Sequence, residues 1–396
     1  MKVQKVIHLY NRSQSTPFPP KRSAYYYLAG WASLQARECV KYDQEIKHEV
    51  WRPEPESHKT ESRVVEGITC RLFPVTASKR LLKIPHLMIK ELKKECQKNQ
   101  VIINLHNLHN LDTMWLIFLF KNTPIFIHHH GSIPWRYKTS KGWGKSFSKK
   151  GLALVDEHVL KWVDHFSVIS ITEKQYIEKY TKSKNVVLEQ GRKYYDKWAP
   201  LDREVARKKL GIPSHFKILM YVGYYYRLKG VDVLLEAFNK LKSEFDIGLL
   251  MVGGRRNDEL YQDVRRTKGV MDYGRIPNDE LKLYYSAADL YVLYSGDENL
   301  TYFGGFGTSP IEAMACNLPV VSTQLIHFPG NGRRMVGEIP ENSDDLYFKI
   351  KKVLQNPSQY KPREVSHNYY DFSSIIKRNI NTYKRLFERY YKNDRV

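Results

Sequence analysis

Two cations in the second half of the sequence have the spacing of a phosphate-binding loop. Arg227 and Lys229 stand between Gly223, which ends an apolar run, and a helical pattern that begins near Val231. Open α/β sheets bind ligands beyond the carboxyl ends of their strands, and cations beside a helix N-terminus suit a diphosphate. A solvated basic loop would have the same composition, so this segment alone leaves both interpretations open.

A second glycine-rich segment leads into a predicted helix. Gly305 and Gly307 permit close approach of the backbone, and Ser309 followed by Pro310 is typical of a helix cap and first turn. Glu312 lies one turn later among apolar residues, where a carboxylate is costly unless it has a partner. We expect Glu312 to accept hydrogen bonds from a ribose diol; a structural salt bridge is the alternative.

Two other patterns bear on ligands. The turn from Tyr273 to Ile276, which includes Arg275, presents backbone groups that suit the edge of a base. Three successive histidines, His128 to His130, end an apolar run in the first half. Successive residues of a strand point to alternate faces, so these three cannot all converge on one ion, and we predict no metal site.

Strand-like and helix-like segments alternate along the chain and would position these residues. Strands are predicted at 3–10, 101–105, 124–130, 165–170, 217–222, 247–252, 290–294 and 319–322. Helices are predicted at 81–96, 110–120, 203–210, 231–244, 310–316 and 372–392. Such alternation is typical of the α/β class, in which helices flank parallel sheets.

The length of 396 residues is too great for one ordinary hydrophobic core. Two domains of about 150–200 residues each are expected. The pattern loses its period after residue 190, which we interpret as a hinge region. We predict an N-terminal domain over 1–197, a C-terminal domain over 198–371 and a final helical segment over 372–396.

The net charge of +22, from 64 basic and 42 acidic residues, indicates an anionic partner. Nucleic acid is one candidate, but no RNA- or DNA-binding module is recognisable. A nicotinamide dehydrogenase is another candidate class, but no G-x-G-x-x-G opens the first βα unit. The longest apolar run, Met114 to Phe120, is too short to span a membrane. Four widely spaced cysteines favour a reduced, cytoplasmic setting.

Taken in order, four motifs of the second half resemble the retaining GT-B glycosyltransferases of family 4, the group 1 family. The motifs are VG…KGVDVLLEAF, LLMVGG, YGRIPNDELKLYYSAADLYVLYS and GFG…IEAMACNLPVV. The resemblance is strong over 217–330, extends from about residue 100 onward and is thin before that. It implies two Rossmann-like, doubly wound domains facing across a cleft, with the last helix returning to the N-terminal domain.

The resemblance also implies roles for individual residues. Lys229 matches the lysine that contacts the donor diphosphate, with Arg227 beside it, and Glu312 matches the glutamate that contacts the ribose. His130 matches the histidine near the reacting sugar. The remaining donor-binding positions that it implies are Gly223, Arg275, Ile276, Gly305, Phe306, Gly307, Thr308 and Ser309.

The sequence departs from the family pattern at three places. Gly304 stands where the first glutamate of the E-x7-E motif is expected, and Tyr224 stands where an arginine usually follows VG. The double-glycine loop of the N-terminal domain is not recognisable in 11–24. We expect Asp297 and Glu298 to supply the sugar contact that Gly304 lacks, and Arg227 to stand in for the arginine.

The implied reaction moves a sugar from a nucleotide diphosphate sugar to an acceptor hydroxyl with retention of anomeric configuration. No metal or other cofactor is implied, and the acceptor is expected to be a glycan or a lipid-linked molecule. The alternative is a catalytically weak or silent partner subunit that only binds nucleotide sugar. Gly304 and Tyr224 motivate that alternative.

The stretch from Trp135 to Leu154 is basic and aromatic. Its six cations, with no acidic residue among them, are Arg136, Lys138, Lys141, Lys145, Lys149 and Lys150. Cations interleaved with amphipathic aromatic rings suit an anionic headgroup layer. We therefore expect a cytoplasmic protein that binds peripherally to the inner face of a membrane; a mobile solvated loop is the alternative.

Overall fold

The structure is a computed structural model of the full chain. It describes residues 2–10, 27, 30–54, 57–75, 85–138, 143–181, 185–189, 195–295 and 305–392, with the backbone alone at 143–149. The chain divides into two compact units. The first contains Met1–Val168, Thr172–Leu188 and Ser373–Val396, and the second contains Ile169–Ile171 and Glu189–Phe372.

The first unit is built on an eight-stranded sheet. Its strands are β1 (Gln4–Tyr10), β2 (Lys47–Glu54), β3 (Glu61–Val65), β4 (Ile68–Pro74), β5 (Gln100–His106), β6 (Ile125–His128), β7 (His165–Val168) and β8 (Val186–Leu188). Their order is β3-β4-β2-β1-β5-β6-β7-β8, and every pair is parallel except β3 with β4. The helices that follow in chain order are α1 (Trp31–Tyr42), α2 (His86–Lys98), α3 (Leu111–Leu119), α4 (Trp143–Val159) and α5 (Ile171–Thr181).

The second unit is built on a six-stranded parallel sheet. Its strands are β9 (Lys217–Val222), β10 (Ile247–Val252), β11 (Val270–Asp272), β12 (Leu290–Leu293), β13 (Val320–Ser322) and β14 (Gly337–Glu338), in the order β11-β10-β9-β12-β13-β14. Its helices are α6 (Arg203–Leu210), α7 (Val231–Leu241), α8 (Tyr261–Arg266), α9 (Leu281–Ala287), α10 (Thr308–Ala315), α11 (Arg333–Val336), α12 (Ser343–Gln355) and α13 (Pro362–Tyr370).

Local sequence explains why these elements form. All six residues of β10, IGLLMV, are buried, as expected for a central strand of a parallel sheet that is covered on both faces. The α7 helix buries Val231, Leu234, Leu235 and Phe238, which recur at helical spacing on one face. The two units, each with helices around a mainly parallel sheet, confirm the prediction of an α/β protein built from two Rossmann-like domains.

The last helix, α14 (Phe372–Tyr391), packs in the first unit from Ser373 onward. The Tyr383 hydroxyl accepts hydrogen bonds from Asn104 at 2.9 Å and from Gln35 at 3.2 Å. Nearer its end, the Tyr391 hydroxyl donates to the carbonyl of Val101 at 3.0 Å. This helix therefore supplies part of the interior of a unit whose strands all lie more than 180 residues earlier in the chain.

Candidate donor site

The chain order of the second sheet places a ligand site beside β9. The strand β9 comes first in this unit, and the chain continues to β10 on one side and later to β12 on the other. From the carboxyl end of β9 the chain leads toward β10, and from the carboxyl end of β12 it leads the other way, toward β13. Open α/β sheets bind ligands at such a switch point, where the order of strands reverses direction. Both glycine-rich segments found in the sequence follow these two strands.

At Gly230, the loop after β9 packs closely against the backbone that follows β12. Its φ is 63°, in the left-handed region, and a Cβ there would lie 2.2 Å from the Tyr294 carbonyl oxygen. The Ser295 hydroxyl also donates to the carbonyl of Leu228 at 3.4 Å. Only glycine combines this backbone conformation with this close approach, so Gly230 fixes the turn that carries Arg227 and Lys229.

The two cations of this turn have different surroundings. The side chain of Arg227 is 62% exposed and forms ion pairs with Asp232 at 3.0 Å and Glu259 at 3.1 Å. Lys229 is half-buried and ends the same short 3-10 helix. Arg227 is thus held by two carboxylates, and Lys229, which the resemblance implies as the diphosphate contact, is the less exposed of the two cations.

The ends of β9, β10 and β11 also meet at close range. A Cβ on Gly253, after β10, would lie 2.9 Å from the carbonyl oxygen of Gly223, after β9. The Gly253 amide donates to the carbonyl of Gly274 at 2.6 Å, just before Arg275 and Ile276. Arg275 is exposed and Ile276 is half-buried, so this turn lies open at the carboxyl edge of the sheet.

The α10 helix begins just after two glycines whose backbone is in the left-handed region. Gly305 and Gly307 have φ values of 66° and 76°, and the helix starts at Thr308. The Ser309 hydroxyl lies 2.8 Å from that of Tyr291 on β12, which ties this helix to the sheet. Phe306 is fully buried and stacks on the ring of Tyr370 in α13, so this residue anchors the segment to the interior of the second unit.

Glu312 is buried inside the first turns of α10. It is 3% exposed, and one carboxylate oxygen accepts a hydrogen bond from the Tyr285 hydroxyl at 3.0 Å. Burial and the neighbouring Glu312 carboxylate raise the pKa of Tyr285 well above its usual range, so Tyr285 remains a donor. Gly304, Asp297 and Glu298 lie outside the described residues.

His130 lies in the first unit, at the end of a row of buried histidines. Its Nε2 is 3.2 Å from His106, which is 3.2 Å from His8, which in turn is 3.0 Å from His48. The ring of His130 also stacks on Trp31 with centroids 6.5 Å apart. Three neighbouring strands, β1, β2 and β5, therefore position this half-buried side chain beyond the end of β6.

A comparison of the sequence with protein families gives one match. The description "Glycosyl transferases group 1" matches residues 202–369, from the residue before α6 into α13. Over these residues the second unit is similar to the group 1 glycosyl transferases.

Individual proteins of known description align with parts of this chain. A D-inositol 3-phosphate glycosyltransferase of Nocardiopsis dassonvillei is 30% identical over 178 residues, which are 41% of this chain and 40% of that protein. A putative teichuronic acid biosynthesis glycosyltransferase of Bacillus subtilis is 34% identical over 123 residues, which are 31% of this chain and 28% of that protein. The chain thus spans less than half the length of these curated relatives.

Solved structures resemble the whole chain at low identity. Sucrose-phosphate synthase from Thermosynechococcus elongatus has a TM-score of 0.66 at 18% identity and covers 97% of this chain and 99% of that one. The Anabaena protein HepE, solved in complex with UDP, has a TM-score of 0.64 at 14% identity and covers 96% and 99%. At these identities the likeness establishes the fold and nothing further.

The second unit has a cation, Arg255, that the sequence alone did not indicate. The guanidinium of Arg255, which follows the double glycine after β10, donates to the Tyr224 hydroxyl at 3.0 Å and lies 4.7 Å from the ring centroid. Tyr224 occupies the position of the arginine expected after VG. Arg255 therefore brings a positive charge to that position from the neighbouring strand, whereas Arg227 is engaged elsewhere.

His129 points away from His130 and joins a second buried cluster. His109 lies 2.7 Å from Asp156 through Nδ1 and 3.3 Å from Glu173 through Nε2, and Glu173 also contacts His129 Nδ1. The Ser132 amide donates to His129 Nε2 at 2.7 Å, so His129 carries its proton on Nδ1 and donates to Glu173.

These groups suit a proton better than a metal ion. Ligand atoms of His109, His129 and Glu173 lie within 4.8 Å of one another. Burial lowers the pKa of His109, but Asp156 and Glu173 outweigh it and raise the value to about 9. A metal ion would have to displace protons from both imidazoles. If it bound Nδ1 of His129, the remaining proton of that ring would be on Nε2 and would face the N–H of Ser132. We therefore interpret the cluster as an imidazolium held between two carboxylates.

Proposed function

We propose that this protein transfers a sugar from a nucleotide diphosphate sugar to an acceptor hydroxyl, with retention of configuration and without a metal cofactor. The observation that carries the proposal is that the Lys229 loop and the start of α10 both contact β12 beside the switch point. A cation, the first amide groups of a helix and the buried carboxylate of Glu312 thus occur in the loops and helix that follow β9 and β12, where parallel sheets bind nucleotides. The match of residues 202–369 to the group 1 glycosyl transferases supports the same donor class.

In this reaction the site would have to stabilise a diphosphate leaving group. Negative charge accumulates on the diphosphate as the glycosidic bond breaks, and fixed cations and N–H groups lower the energy of that state. Lys229 and the amides of Thr308 and Ser309 would supply this charge. A departing phosphate oxygen would accept the proton of the acceptor hydroxyl on the same face, so no pair of acid and base carboxylates is needed.

The first unit would then bind the acceptor, a glycan or lipid-linked molecule, with His130 near the reacting sugar. The acceptor, the placement on the cytoplasmic side of a membrane and the retention of configuration are all parts of this proposal. Two names are consistent with it: one relative is called a D-inositol 3-phosphate glycosyltransferase, and HepE was solved with UDP.

Turnover of nucleotide diphosphate sugars by the purified chain tests the proposal. Release of nucleoside diphosphate is measured across a panel of donors for the wild type, Lys229→Ala and Lys240→Ala. Lys240 is an exposed lysine of α7 that pairs with Glu236, and serves as the matched control. Lys229→Ala is expected to lower kcat about 10²–10³-fold, and Lys240→Ala is expected to leave it unchanged.

The same experiment separates the transferase from a silent binding subunit. Nucleotide binding without release of nucleoside diphosphate from any donor, with or without glycan and lipid acceptors, would favour the silent subunit. Equal turnover in wild type and Lys229→Ala would remove Lys229 from the mechanism.

A further inference from the structure

An apolar groove lies open on the surface of the first unit, between α3 and α4. Its volume is 790 Å³, and its lining includes Leu111, Trp115, Phe118, Leu154, Val155 and Trp162. Phe118 is 47% exposed and Leu154 is 63% exposed. Single exposed apolar side chains are common on soluble proteins, but a contiguous patch of large ones marks a surface that binds another apolar surface.

The charges around this groove are of one sign. Between residues 111 and 162 the acidic residues are Asp112, Asp156 and Glu157, and all three are buried. Lys121, by contrast, is exposed, and its Nζ lies 5.8 Å from the Phe118 ring centroid and 5.4 Å from that of Trp162. This lysine thus lies at the rim, with its ammonium group beside the apolar floor.

Two more exposed lysines lie close in sequence to residues that line the groove. Lys150 is exposed on α4, two residues before the lining residue Leu152, and Lys161 is exposed next to Trp162. Long lysine side chains cover apolar surface with their methylene groups while the ammonium reaches a polar layer. The surface thus combines an apolar floor with a cationic rim.

We propose that this groove docks on a bilayer that contains anionic lipid. Phe118, Leu154 and Trp115 would enter the boundary between headgroups and acyl chains, and the lysines would lie among the headgroups. The described part of the chain contains no helix long and apolar enough to cross a membrane, so the attachment would be peripheral. The proposal does not depend on the transferase activity.

The docking surface differs from the basic stretch noted in the sequence. Arg136 forms two hydrogen bonds with Glu157, at 2.6 and 2.8 Å, and Lys138 donates to the carbonyl of His109 at 2.7 Å. Both cations are therefore engaged by groups of the same unit, although the side chain of Arg136 is 45% exposed. Of the six predicted cations, Lys150 is one that the structure leaves exposed beside the groove.

Charge also decides between a bilayer and a second copy of the chain. A twofold dimer through this groove would bring Lys121, Lys150 and Lys161 of both copies together, and like charges across an interface are costly. An anionic lipid surface has the opposite charge and an apolar interior, and it complements both the rim and the floor.

Vesicle co-sedimentation of the full chain tests the proposal. Vesicles of phosphatidylcholine alone are compared with vesicles that also contain phosphatidylglycerol. Changing Lys121, Lys150 and Lys161 together to Gln is expected to weaken binding on the order of 100-fold, since each cation near an anionic surface contributes about fivefold. Phe118→Ser with Leu154→Ser is expected to weaken it at least about tenfold through lost apolar burial.

Matched controls come from exposed residues elsewhere. Lys90, Lys93 and Lys98 of α2 changed together to Gln keep the net charge equal to that of the first triple variant, and Phe348→Ser removes an exposed aromatic ring from α12. Both controls should bind vesicles like the wild type, and thermal unfolding confirms that every variant is folded. Equal binding to neutral vesicles, wild-type binding by the first lysine triple variant, or a lipid-free dimer that Phe118→Ser dissociates would each overturn the proposal.

Discussion

Glu312, the proposed ribose contact, has a close structural counterpart in the same unit. It is buried in α10 and accepts a hydrogen bond from Tyr285. Glu338, elsewhere in the same unit, also accepts a hydrogen bond from a tyrosine, Tyr360 at 2.9 Å, but it pairs with Lys352 at 2.7 Å. The two glutamates therefore allow the proposed role of Glu312 to be tested against a close structural counterpart.

We predict that Glu312→Gln weakens the binding of nucleoside diphosphate and of the full donor alike. A hydrogen bond to a charged group is worth about 1.5–3 kcal/mol, which corresponds to roughly 10–150-fold in Kd. Titration calorimetry measures both ligands. Glu338→Gln is the control and should leave both affinities unchanged; equal losses in the two variants would make Glu312 a structural residue.

Arg255 and Arg227 compete for the role of the arginine that Tyr224 replaces. Because Arg227 is held by Asp232 and Glu259 while Arg255 stacks on Tyr224, we predict that Arg255→Ala lowers kcat/KM more than Arg227→Ala does. Loss of one preorganised cation typically costs about 10²–10³-fold. Steady-state kinetics with one donor compares the two variants, and a larger loss in Arg227→Ala would return the role to Arg227.

At the scale of elements, the turn between β9 and α7 depends on one glycine. Gly230 and Gly211 have nearly the same φ, 63° and 67°. A Cβ on Gly230 would meet the Tyr294 carbonyl, whereas a Cβ on Gly211 has no atom within 4 Å. Comparing alanine substitutions at these two glycines therefore separates the free-energy cost of a left-handed backbone from that of a steric clash.

We predict that Gly211→Ala lowers the free energy of unfolding by about 1 kcal/mol, through backbone strain alone. Gly230→Ala should cost clearly more, because the loop must also move away from β12, and it should lose nucleotide binding. Urea unfolding and calorimetry measure the two effects. Nucleotide affinity that survives Gly230→Ala would mean that the loop after β9 is not part of the site.

The buried histidines of the first unit give its stability a dependence on pH. The pKa of His109 is raised to about 9, so its stabilising contribution is complete below 6.5, the ordinary value, and is lost as the pH rises through 9. Burial lowers the pKa of His48 to about 4 and holds that of His8 well below its usual range. Their contribution is present above 6.5 and is lost as the pH falls toward 4.

We therefore predict that the first unit is most stable near pH 6.5. Between pH 6.5 and 9.5 its free energy of unfolding should fall by about 3 kcal/mol, since each pKa unit corresponds to about 1.4 kcal/mol. Asp156→Asn should flatten this alkaline slope because His109 loses one carboxylate, and Asp196→Asn, at a highly exposed side chain of the second unit, should not. Urea unfolding at several pH values, followed by circular dichroism, checks both; an unchanged slope in Asp156→Asn would contradict the assignment.

Much of the order of elements follows from the sequence. Apolar runs predicted β9 and β10 with their observed bounds, and the charged segment 203–210 predicted α6, where Asp202 and Gly211 cap the helix. The hairpin β3–β4 was not predicted because β3 has no buried residue and thus no apolar period. The strand predicted at 124–130 ends earlier, at His128, and leaves His130 in the following loop.

The candidate site was predictable where it depends on neighbours in sequence and less so where it depends on the sheet. Lys229, Glu312 and the glycines belong to motifs that can be read along the chain. Arg255 reaches Tyr224 only because β10 lies next to β9, and His109 is linked to His129 through Glu173 of α5. The double glycine before Arg255 was a signal of a close approach, but its partner strand was not evident.

For the whole molecule, the division into two compact units predicts that a ligand stabilises one unit more than the other. The candidate donor site lies in the second unit, so a nucleoside diphosphate at 100 times its Kd should stabilise that unit by about 2.7 kcal/mol. Amide hydrogen exchange should slow around Gly230, Tyr294 and the start of α10. Protection confined to the first unit would contradict the location of the site.

The interleaving of the chain between the units has a consequence for biosynthesis. The interior of the first unit is completed by Tyr383, Asn379 and their neighbours on α14, which leave the ribosome after every strand of both sheets. Before α14 is synthesised, Asn104 and Gln35 lack the Tyr383 hydroxyl to which they donate hydrogen bonds in the folded protein. The second unit can therefore mature first, and a nascent chain stalled before α14 would expose an unfinished first unit to chaperones and proteases.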